Sequence, residues 1–426
     1  MELSHWICIC LSRCLLYFSK MKDNTSLKDI LTFEGFTQLK KGHPWLFKNH
    51  FKKNFSLPQK PMLYPLGEHW FLLSPQSNIV LRRLGPATRF WPSENLERNP
   101  IQTLPDFETF FEKSVFELLK NSFEKKQILV NSESCFRWVF SENDLLPGLI
   151  IDVFYDDLIV QILSSPMEHF WPVIKKVVLE IKPNAKIYEQ RSHPIRTQEG
   201  LEIIENDTTI FKECAWNGLK WNFSLLNNQK TGAYLDQKEN HLKALHWAQK
   251  LNVKKAWDVF CYEGGFGLHL AKANVDVLAI DDSKQALENL KKNATLNGVS
   301  KKITILKKDA FVFLKDQFNL KKKTDLIILD PPPFAKKSSE KSGALKGYKE
   351  LNLRAMHSLN SSGLLVSCSC SHNISKSDFL KMLREASHDA RKQIHVLEVG
   401  GASGDHAPLI SFPEGNYLQA WFLLVH

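Results

Sequence analysis

The sequence predicts an α/β protein of several domains whose C-terminal half forms a parallel, doubly wound sheet. Strand-like and helix-like segments alternate from about Gly218 onward, which is typical of such a sheet. Short β-like runs come first in the chain, and a region that mixes strands and helices without regular alternation follows them. A chain of 426 residues also exceeds one ordinary core, so two or three domains are expected.

Residues 27–100 are predicted to form a small β-rich domain. Runs of β-forming residues at Trp70–Ser74 and Ile79–Arg83 are separated by Pro, Gly and Asn, which favour turns. Short strands joined by such turns are typical of a compact antiparallel sheet.

Residues 1–26 are interpreted as an extension outside that domain. Met1–Lys20 is apolar and rich in cysteine, but it has no basic leader or small-residue cleavage site. It is also too short and too polar to span a bilayer. Because a polar stretch resembling a natural start begins at Met21, the sequence favours a mis-assigned initiation site, with a membrane anchor as the weaker alternative.

Residues 101–215 are predicted to form an α+β middle domain. Phe107–Lys126 carries apolar residues at helical spacing, and a second helix is expected around Trp171–Ile181. The predicted strands are Leu149–Val153, Leu158–Leu163 and Lys186–Gln190.

Residues 216–426 are predicted to form the doubly wound domain. The predicted strands are Ala256–Phe260, Asp276–Ile280, Ile303–Leu306, Leu326–Leu329, Leu364–Ser367, His395–Val399 and Tyr417–Val425. The predicted helices are Phe266–Ala273, Lys284–Asn297, Ala310–Asp316, Gly347–Leu359 and Lys376–Arg391. The chain ends on two strands with no helix between them, which favours an antiparallel hairpin at the edge of the sheet.

The net charge and the cysteine content indicate the kind of partner and the cellular compartment to expect. The formal net charge is +10, from 56 Lys and Arg against 46 acidic residues, and an excess of this size favours a polyanionic partner. The eight cysteines include no C-x-x-C pair, which argues against a disulfide framework or a structural zinc site. We therefore expect no metal, no membrane partner and a reducing, cytoplasmic environment.

A glycine-rich turn follows the first strand of the predicted sheet. Glycines there let the backbone approach a ligand closely, and ligands of such sheets bind beyond the carboxyl ends of the strands. Asp258, Phe260, Gly264 and Gly265 are therefore candidate cofactor contacts. A plain strand-to-helix turn is the simpler interpretation of the glycines alone.

Acidic residues stand at the ends of the next two strands. Asp281 follows Asp258 by 23 residues, where a carboxylate can accept both ribose hydroxyls of a nucleoside, and the strand register favours it over Asp282. Asp309 follows the third strand, where it could accept from an adenine amino group. Each acid alone is more simply a helix N-cap or a surface charge, but acids at three successive strand ends favour a nucleoside site.

Nucleoside binding leaves NAD and S-adenosylmethionine as candidate cofactors. A dinucleotide site requires a turn that receives a pyrophosphate. Glu263 lies in this turn, and its carboxylate would repel a pyrophosphate but attract the cationic sulfonium and ammonium groups of S-adenosylmethionine. The charge therefore favours the methyl donor.

The fourth strand ends in an acidic residue followed by a proline-rich loop. Prolines cannot continue a central strand, so Asp330, Pro331 and Pro332 are expected to begin a stiff extended loop. Phe334 follows and could stack on a flipped base while Asp330 reads the polar edge of that base. A proline-rich turn that merely ends the strand is the alternative interpretation.

The fifth strand ends in Ser367–His372, which contains two cysteines. A thiolate is suited to attack C6 of cytosine, since the adduct turns C5 into a nucleophilic carbon that can accept a methyl group. Cys368 and Cys370 would share a face of an extended strand. Cys370 lies nearer the cleft and is the preferred nucleophile, whereas Cys368 also fits a small buried core residue.

The segments that carry these features resemble the RlmI-type ribosomal RNA large-subunit methyltransferases, which form 5-methylcytosine. The resemblance covers nearly the whole chain after Met21. Its matching segments are LKKGHPWLF (39–47), ENDLLPGLIID (142–152), IYEQR (187–191), QKTGAYLDQKEN (229–240), DVFCYEGGFGLH (258–269), LDPPPFA (329–335), GYKEL (347–351), SCSCSH (367–372), Asp405-His406 and Pro413-Glu414.

The resemblance implies a Rossmann-like class I methyltransferase domain at the C-terminus, preceded by a PUA-like RNA-binding domain and a middle domain of the family's own type. It implies that Gln229–Gln237 packs over S-adenosylmethionine, with Lys230 and Asp236 as contacts. Other members carry one cysteine near the fifth strand, which corresponds to Cys370. They usually carry Thr where this chain has Glu263.

Three alternatives to cytosine methylation remain open from the sequence. Asp-Pro-Pro-Phe loops also serve methyltransferases that act on the exocyclic amine of guanine or adenine, and these need no cysteine. An RNA-binding protein whose C-terminal domain no longer catalyses, and a dehydrogenase, are the others. The expected partner is large-subunit ribosomal RNA, and the sequence leaves a homodimer open.

Overall fold

A computed structural model describes residues 27–66, 69–86, 107–130, 134–205, 210–224, 233–335 and 337–426. The chain divides into two compact units. The first comprises Met1–Ser132, Phe136–Thr209 and Pro408–Gly415, and the second comprises Glu133–Cys135, Ile210–Ala407 and Asn416–His426. The extension assigned to residues 1–26 lies outside the described residues, and the domain boundaries drawn from the sequence stay predictions.

The first unit contains a four-stranded antiparallel sheet near its N-terminus. Its strands are β1 (Trp45–Phe47), β2 (Met62–Leu66), β3 (His69–Leu73) and β4 (Ile79–Pro86), in the order β1-β4-β3-β2. Two helices precede it, α1 (Leu27–Ile30) and α2 (Phe33–Lys40). Thr32 caps α2 by accepting a hydrogen bond from the Gly35 N–H. The predicted strands here were correct to within a few residues.

A second sheet of the first unit has the order β5-β6-β7-β8. Its elements are α3 (Phe107–Leu129), β5 (Cys135–Phe140), β6 (Leu149–Phe154), β7 (Asp157–Ile162), α4 (Ser165–Ile181), β8 (Lys186–Gln190) and α5 (Ile195–Gln198). The helix predicted around Trp171–Ile181 is confirmed as α4, which begins six residues earlier, at Ser165. Pro166 occupies the first turn, where no N–H donor is needed, and the helix continues through Pro172.

The second unit begins with a hairpin and a helix. The hairpin joins β9 (Phe211–Trp216) to β10 (Leu219–Ser224) through Asn217 and Gly218, which both have positive φ. This is the backbone that a two-residue hairpin turn requires. The helix α6 (Lys238–Lys250) follows.

A seven-stranded sheet forms the centre of the second unit. Its strands are β11 (Lys255–Val259), β12 (Asp276–Asp281), β13 (Ile303–Lys307), β14 (Thr324–Leu329), β15 (Leu359–Ser369), β16 (Ile394–Gly401) and β17 (Gln419–Val425). Its helices are α7 (Gly265–Lys272), α8 (Lys284–Leu296), α9 (Ala310–Asn319), α10 (Lys341–His357) and α11 (Lys376–Ala390). The predicted helix Gly347–Leu359 was therefore wrong at both ends, because α10 starts six residues earlier and Leu359 opens β15.

The sheet order is β13-β12-β11-β14-β15-β17-β16. The first five strands pair in parallel, whereas β17 is antiparallel to both of its neighbours. The predicted α/β sheet and its antiparallel edge hairpin are confirmed. The strand order reverses between β11 and β14, and ligands of open α/β sheets bind at such a reversal. Asp258 on β11 and Asp330 after β14 therefore share this edge.

Among the described residues, no helix combines the length and apolar character needed to cross a bilayer.

Candidate active site

The turn between β11 and α7 has an unusual backbone. Phe260 and Tyr262 have φ of 66° and 47°, a region that side chains other than glycine rarely adopt. Gly264 has φ of 92°, and a Cβ there would lie 2.3 Å from Cδ1 of Leu290. Strained backbone of this kind costs about 1–3 kcal/mol per residue and is concentrated at functional sites.

Asp258 is buried below this turn. Its Oδ2 accepts the Gly267 N–H at 2.8 Å, and its Oδ1 is buried with no hydrogen-bond partner among the described residues. Burial, together with the charges of Asp330 and Asp281, raises the pKa of Asp258 to about 7 against the lowering effect of the Gly267 hydrogen bond. A ligand carrying a positive charge or N–H donors would stabilise the ionised carboxylate.

Asp281 and Glu263 lie on the neighbouring loops. Asp281 accepts the N–H groups of Tyr262 and Ser283, each at 2.9 Å, so its carboxylate ties the ends of β11 and β12 together. Glu263 is buried and accepts a hydrogen bond from Asn289 Nδ2 at 2.8 Å. Burial raises the pKa of Glu263 to about 7, so a cation nearby would favour its ionised form too.

The remaining predicted cofactor contacts have different surroundings. Asp309 is exposed and caps α9 by accepting the Val312 N–H at 2.9 Å, which is the helix-cap role weighed for it above. Asp236 is buried and accepts the hydroxyl of Tyr417. Lys230 lies outside the described residues. The ligand roles of all three stay predictions.

The proline loop leaves the sheet directly beside β11. The Asp330 N–H donates to the Val259 carbonyl at 3.4 Å, Pro331 is buried, and Pro332 is exposed. Phe334 packs against Tyr348 at 4.8 Å between ring centroids. Since Tyr348 occupies part of its surface, a base could stack only on what remains, and the stacking role of Phe334 stays a prediction.

The two cysteines at the end of β15 differ in environment. Cys368 is fully buried, and burial raises the pKa of its thiol well above the ordinary range, with the charge of Asp330 adding to the rise. Cys370 follows the last residue of the strand and is partly exposed. Its Sγ lies 3.8 Å from the Pro331 carbonyl oxygen. The partly exposed thiol is therefore the one that lies against the proline loop.

Gln237 connects the carboxylate and the buried thiol, and its side-chain role was not predicted. Its Nε2 donates to Asp330 Oδ2 at 2.9 Å, and its Oε1 accepts from Asn240 Nδ2 at 2.6 Å. Its side chain also hydrogen-bonds to Cys368. Because Asn240 fixes which end of the amide faces it, the Gln237 NH₂ group faces Asp330.

Two tyrosines beside this cluster were also missed. Tyr234 packs edge-on against Tyr262 at 5.0 Å, and burial raises its pKa, with Asp236, Asp330 and Cys370 contributing. The Tyr348 hydroxyl accepts from Ser369 Oγ at 3.0 Å and lies 3.1 Å from Ser371 Oγ. Both tyrosines lie in segments that match the resembled family (229–240 and 347–351). Their contacts could not be predicted from those segments, because they join residues far apart in the chain.

Comparison with known proteins identifies the family. Residues 188–406 match the family model described as S-adenosylmethionine-dependent methyltransferase. A protein of Tolumonas auensis named ribosomal RNA large subunit methyltransferase I is 31% identical over 389 residues, covering 88% of this chain and 94% of that protein. A Vibrio cholerae protein of the same name is 30% identical over 403 residues, covering 90% and 95%.

The chain belongs to the S-adenosylmethionine-dependent methyltransferase family. The resemblance found in the sequence is thus confirmed, and S-adenosylmethionine is the cofactor of this methyltransferase.

Solved structures show the same fold. A methyltransferase from Streptococcus mutans superposes with a TM-score of 0.72 at 18% identity, covering 92% of this chain and 98% of that one. A methyltransferase solved with S-adenosylhomocysteine gives a TM-score of 0.71 at 18% identity, with the same coverage.

The loops after β11 and β12 fit the cofactor of this methyltransferase. Asp258 offers a buried carboxylate oxygen with no hydrogen-bond partner among the described residues, and Glu263 places a second buried carboxylate in the same turn. Both carry raised pKa values that a cation would offset. Such a donor set suits a cationic nucleoside and not a pyrophosphate.

Proposed function

We propose that this methyltransferase is a cytoplasmic enzyme that forms 5-methylcytosine in large-subunit ribosomal RNA, with Cys370 as the nucleophile. The observation that carries the mechanism is the partly exposed Cys370 thiol, 3.8 Å from the Pro331 carbonyl and next to Asp330 in the proline loop. The RNA substrate is supported by the names of the relatives and by the net charge of +10.

The reaction begins on the base. The Cys370 thiol gives up its proton and its sulfur adds to C6. The S–C6 bond forms, and the electrons of the C5=C6 bond move toward C4 while N3 takes up a proton in place of the one that the thiol released. The Asp330 carboxylate accepts hydrogen bonds from N3–H and the exocyclic amino group, which stabilises the adduct. Gln237 holds Asp330 in place through its Nε2 donor.

S-adenosylmethionine, when bound, supplies an electrophilic methyl group to C5. Water then takes the C5 proton, the C5=C6 bond re-forms as the Cys370 thiolate is expelled, and N3 releases the proton it had taken. Asp258 and Glu263 would hold the positive end of the cofactor, Asp281 would bind its ribose, and Asp236 would be a further contact. Burial raises the pKa of Tyr234, so its hydroxyl stays protonated and can donate a hydrogen bond.

The proposal also assigns a role to each of three regions of the chain. Residues 27–100 would form the PUA-like RNA-binding domain, residues 101–215 the middle domain, and residues 216–426 the catalytic domain. The antiparallel sheet β1–β4 with its two preceding helices is compatible with a small RNA-binding module.

The test is to map 5-methylcytosine across ribosomal RNA in cells that carry the wild-type gene, Cys370→Ala or Cys368→Ala. We expect Cys370→Ala to abolish one site and Cys368→Ala to retain it, because the Cys368 thiol is fully buried and its pKa is raised. Methylation that survives Cys370→Ala at an exocyclic amine would replace the proposal by its first alternative. Absence of any site that depends on the gene would favour a protein that only binds RNA.

A further inference from the structure

The first unit contains a cavity that the methyl-transfer chemistry does not use. Its volume is about 290 Å³, near the lower end for small-molecule pockets and enough for one nucleobase. The wall includes Gln59, Gln76, Glu168, His169, Glu199 and Leu201. All of these residues belong to the first unit.

Two carboxylates of the wall form ion pairs with arginines. Glu199 is buried and forms an ion pair with Arg82 at 2.6 Å. Glu168 receives hydrogen bonds from Arg191 and Arg196. The Arg82–Glu199 pair is buried, and a buried ion pair is costly to desolvate and contributes little net stability. Its presence beside the cavity therefore favours a role in shaping that cavity.

Two further polar residues, Ser165 and Gln76, belong to the cavity wall. Ser165 is 8% exposed, and its Oγ has no hydrogen-bond partner among the described residues. Gln76 lies over Gly200, where a Cβ would come within 1.6 Å of Gln76 Oε1. Gly200 therefore permits the close approach of the Gln76 amide to the cavity wall.

The residues that line the cavity indicate which chemical group of an RNA could bind there. Among the described residues, its wall contains two carboxylates and no Lys or Arg, and both carboxylates are already paired with arginines. The wall therefore offers acceptors for N–H donors and no cation for a phosphate. Guanine presents N1–H and N2–H₂ donors side by side, which match a carboxylate, whereas adenine and uracil lack this pair. Pro61, Pro75 and Leu201 supply apolar surface for the faces of a base.

We propose that this cavity binds a single unpaired guanine base of the RNA substrate. Glu168 accepts the N1–H and N2–H₂ donors, since each carboxylate oxygen has a second lone pair beyond the one its arginine uses. Gln76 offers a further hydrogen bond to the polar edge. The inference rests on the proposed function, because it assumes an RNA substrate.

The test is titration of the full-length protein with guanosine, inosine and adenosine, followed by ligand-observed NMR. Saturating S-adenosylhomocysteine fills the cofactor site so that nucleosides cannot bind there. We expect guanosine to bind tighter than inosine, which lacks the 2-amino group, and tighter than adenosine by about tenfold. Equal binding of all three nucleosides would overturn the assignment.

Variants locate the binding in the cavity. Leu201→Trp fills the cavity and should abolish guanosine binding, whereas Leu242→Trp, at an exposed leucine outside it, should not. If Leu201→Trp fails to fold, Gln76→Ala should weaken guanosine binding several-fold, with Gln249→Ala as the matched control. Unchanged guanosine affinity in the cavity variants contradicts the inference.

Failure of the proposed function would be seen separately. If the wild-type protein methylates no ribosomal RNA, cytosine methylation fails while the nucleoside titrations still decide whether the cavity prefers guanine. If ribosomal RNA is methylated but guanosine binds Leu201→Trp as tightly as wild type, only the cavity inference fails.

Discussion

Replacing Asp258 by asparagine removes a buried negative charge while keeping an oxygen that can accept the Gly267 N–H. Asp258 lies at the carboxyl end of β11, with one oxygen bonded to that N–H at 2.8 Å and the other buried without a partner among the described residues. The cofactor-free protein therefore holds this carboxylate at a cost. Asp258→Asn should make the cofactor-free protein more stable and the cofactor-bound state weaker.

The size of the effect follows from the pKa. Burial raises the pKa of Asp258 from an ordinary value of 3.8 to about 7. This difference corresponds to about 4 kcal/mol that the ionised carboxylate costs the folded state above pH 7. The new amide Nδ2 lacks a partner and costs about 1–3 kcal/mol, so a net gain of about 1–3 kcal/mol is expected.

The sign of the pH dependence is fixed by the raised pKa. The protonated Asp258 is compatible with burial, so its contribution to stability is fully present below about pH 4 and is lost as the pH rises through about 7. The stabilisation by Asp258→Asn should therefore be largest at about pH 8 and should shrink toward about pH 4.

Urea unfolding of wild type and Asp258→Asn without cofactor, at both pH values, measures this difference. Asp325→Asn is the matched control, because hydrogen bonds from Asn360 and from the Lys254 and Lys255 N–H groups lower the pKa of Asp325 despite partial burial. That control should destabilise at about pH 8 and have less effect near pH 4. Calorimetric titration with S-adenosylmethionine should show affinity reduced about tenfold or more in Asp258→Asn.

A variant Asp258→Asn that is no more stable than wild type at high pH would refute the reasoning. So would a stability difference that does not change with pH, or undiminished cofactor affinity.

Three further predictions concern packing and positioning. Gly264→Ala should lower the free energy of unfolding by about 1–3 kcal/mol and weaken cofactor binding, because the new Cβ would lie 2.3 Å from Leu290. The control Gly298→Ala also has positive φ but open space around it, so urea unfolding should show a loss of only about 1 kcal/mol. Gln237→Leu should lower kcat about tenfold or more with little change in KM for RNA, since it removes the donor to Asp330; an unchanged kcat contradicts this role. Tyr348→Phe should destabilise by about 1–2 kcal/mol in urea unfolding through the lost serine hydrogen bonds, and an unchanged midpoint would count against them.

The architecture of the second unit could be predicted because its strands are short apolar runs that alternate with amphipathic helices. The hairpin β9–β10 was missed although Asn217–Gly218 is a strong turn signal between two β-forming runs. The helix α6 (Lys238–Lys250) was missed because its charged residues hide the apolar face. Local pattern therefore predicts the central sheet better than its surroundings.

The candidate site could be predicted only where a residue's place on a strand decides its role. Asp258, Asp330 and Cys370 lie at the ends of strands whose order brings them together. Gln237 contacts Asp330 across 93 residues of chain, and no local pattern encodes such a contact. Position at a strand end was not enough to decide the role of Asp309, because an acidic residue that follows a strand can also cap the next helix, as Asp309 does.

The most direct measurement is mass spectrometry of the protein incubated with S-adenosylmethionine and ribosomal RNA that carries 5-fluorocytidine. Fluorine at C5 cannot leave as the proton does, so the methylated adduct cannot eliminate the thiolate. A covalent RNA adduct on Cys370 is predicted, present with Cys368→Ala and absent with Cys370→Ala. RNA methylated without any adduct, or an adduct that survives Cys370→Ala, would contradict the account.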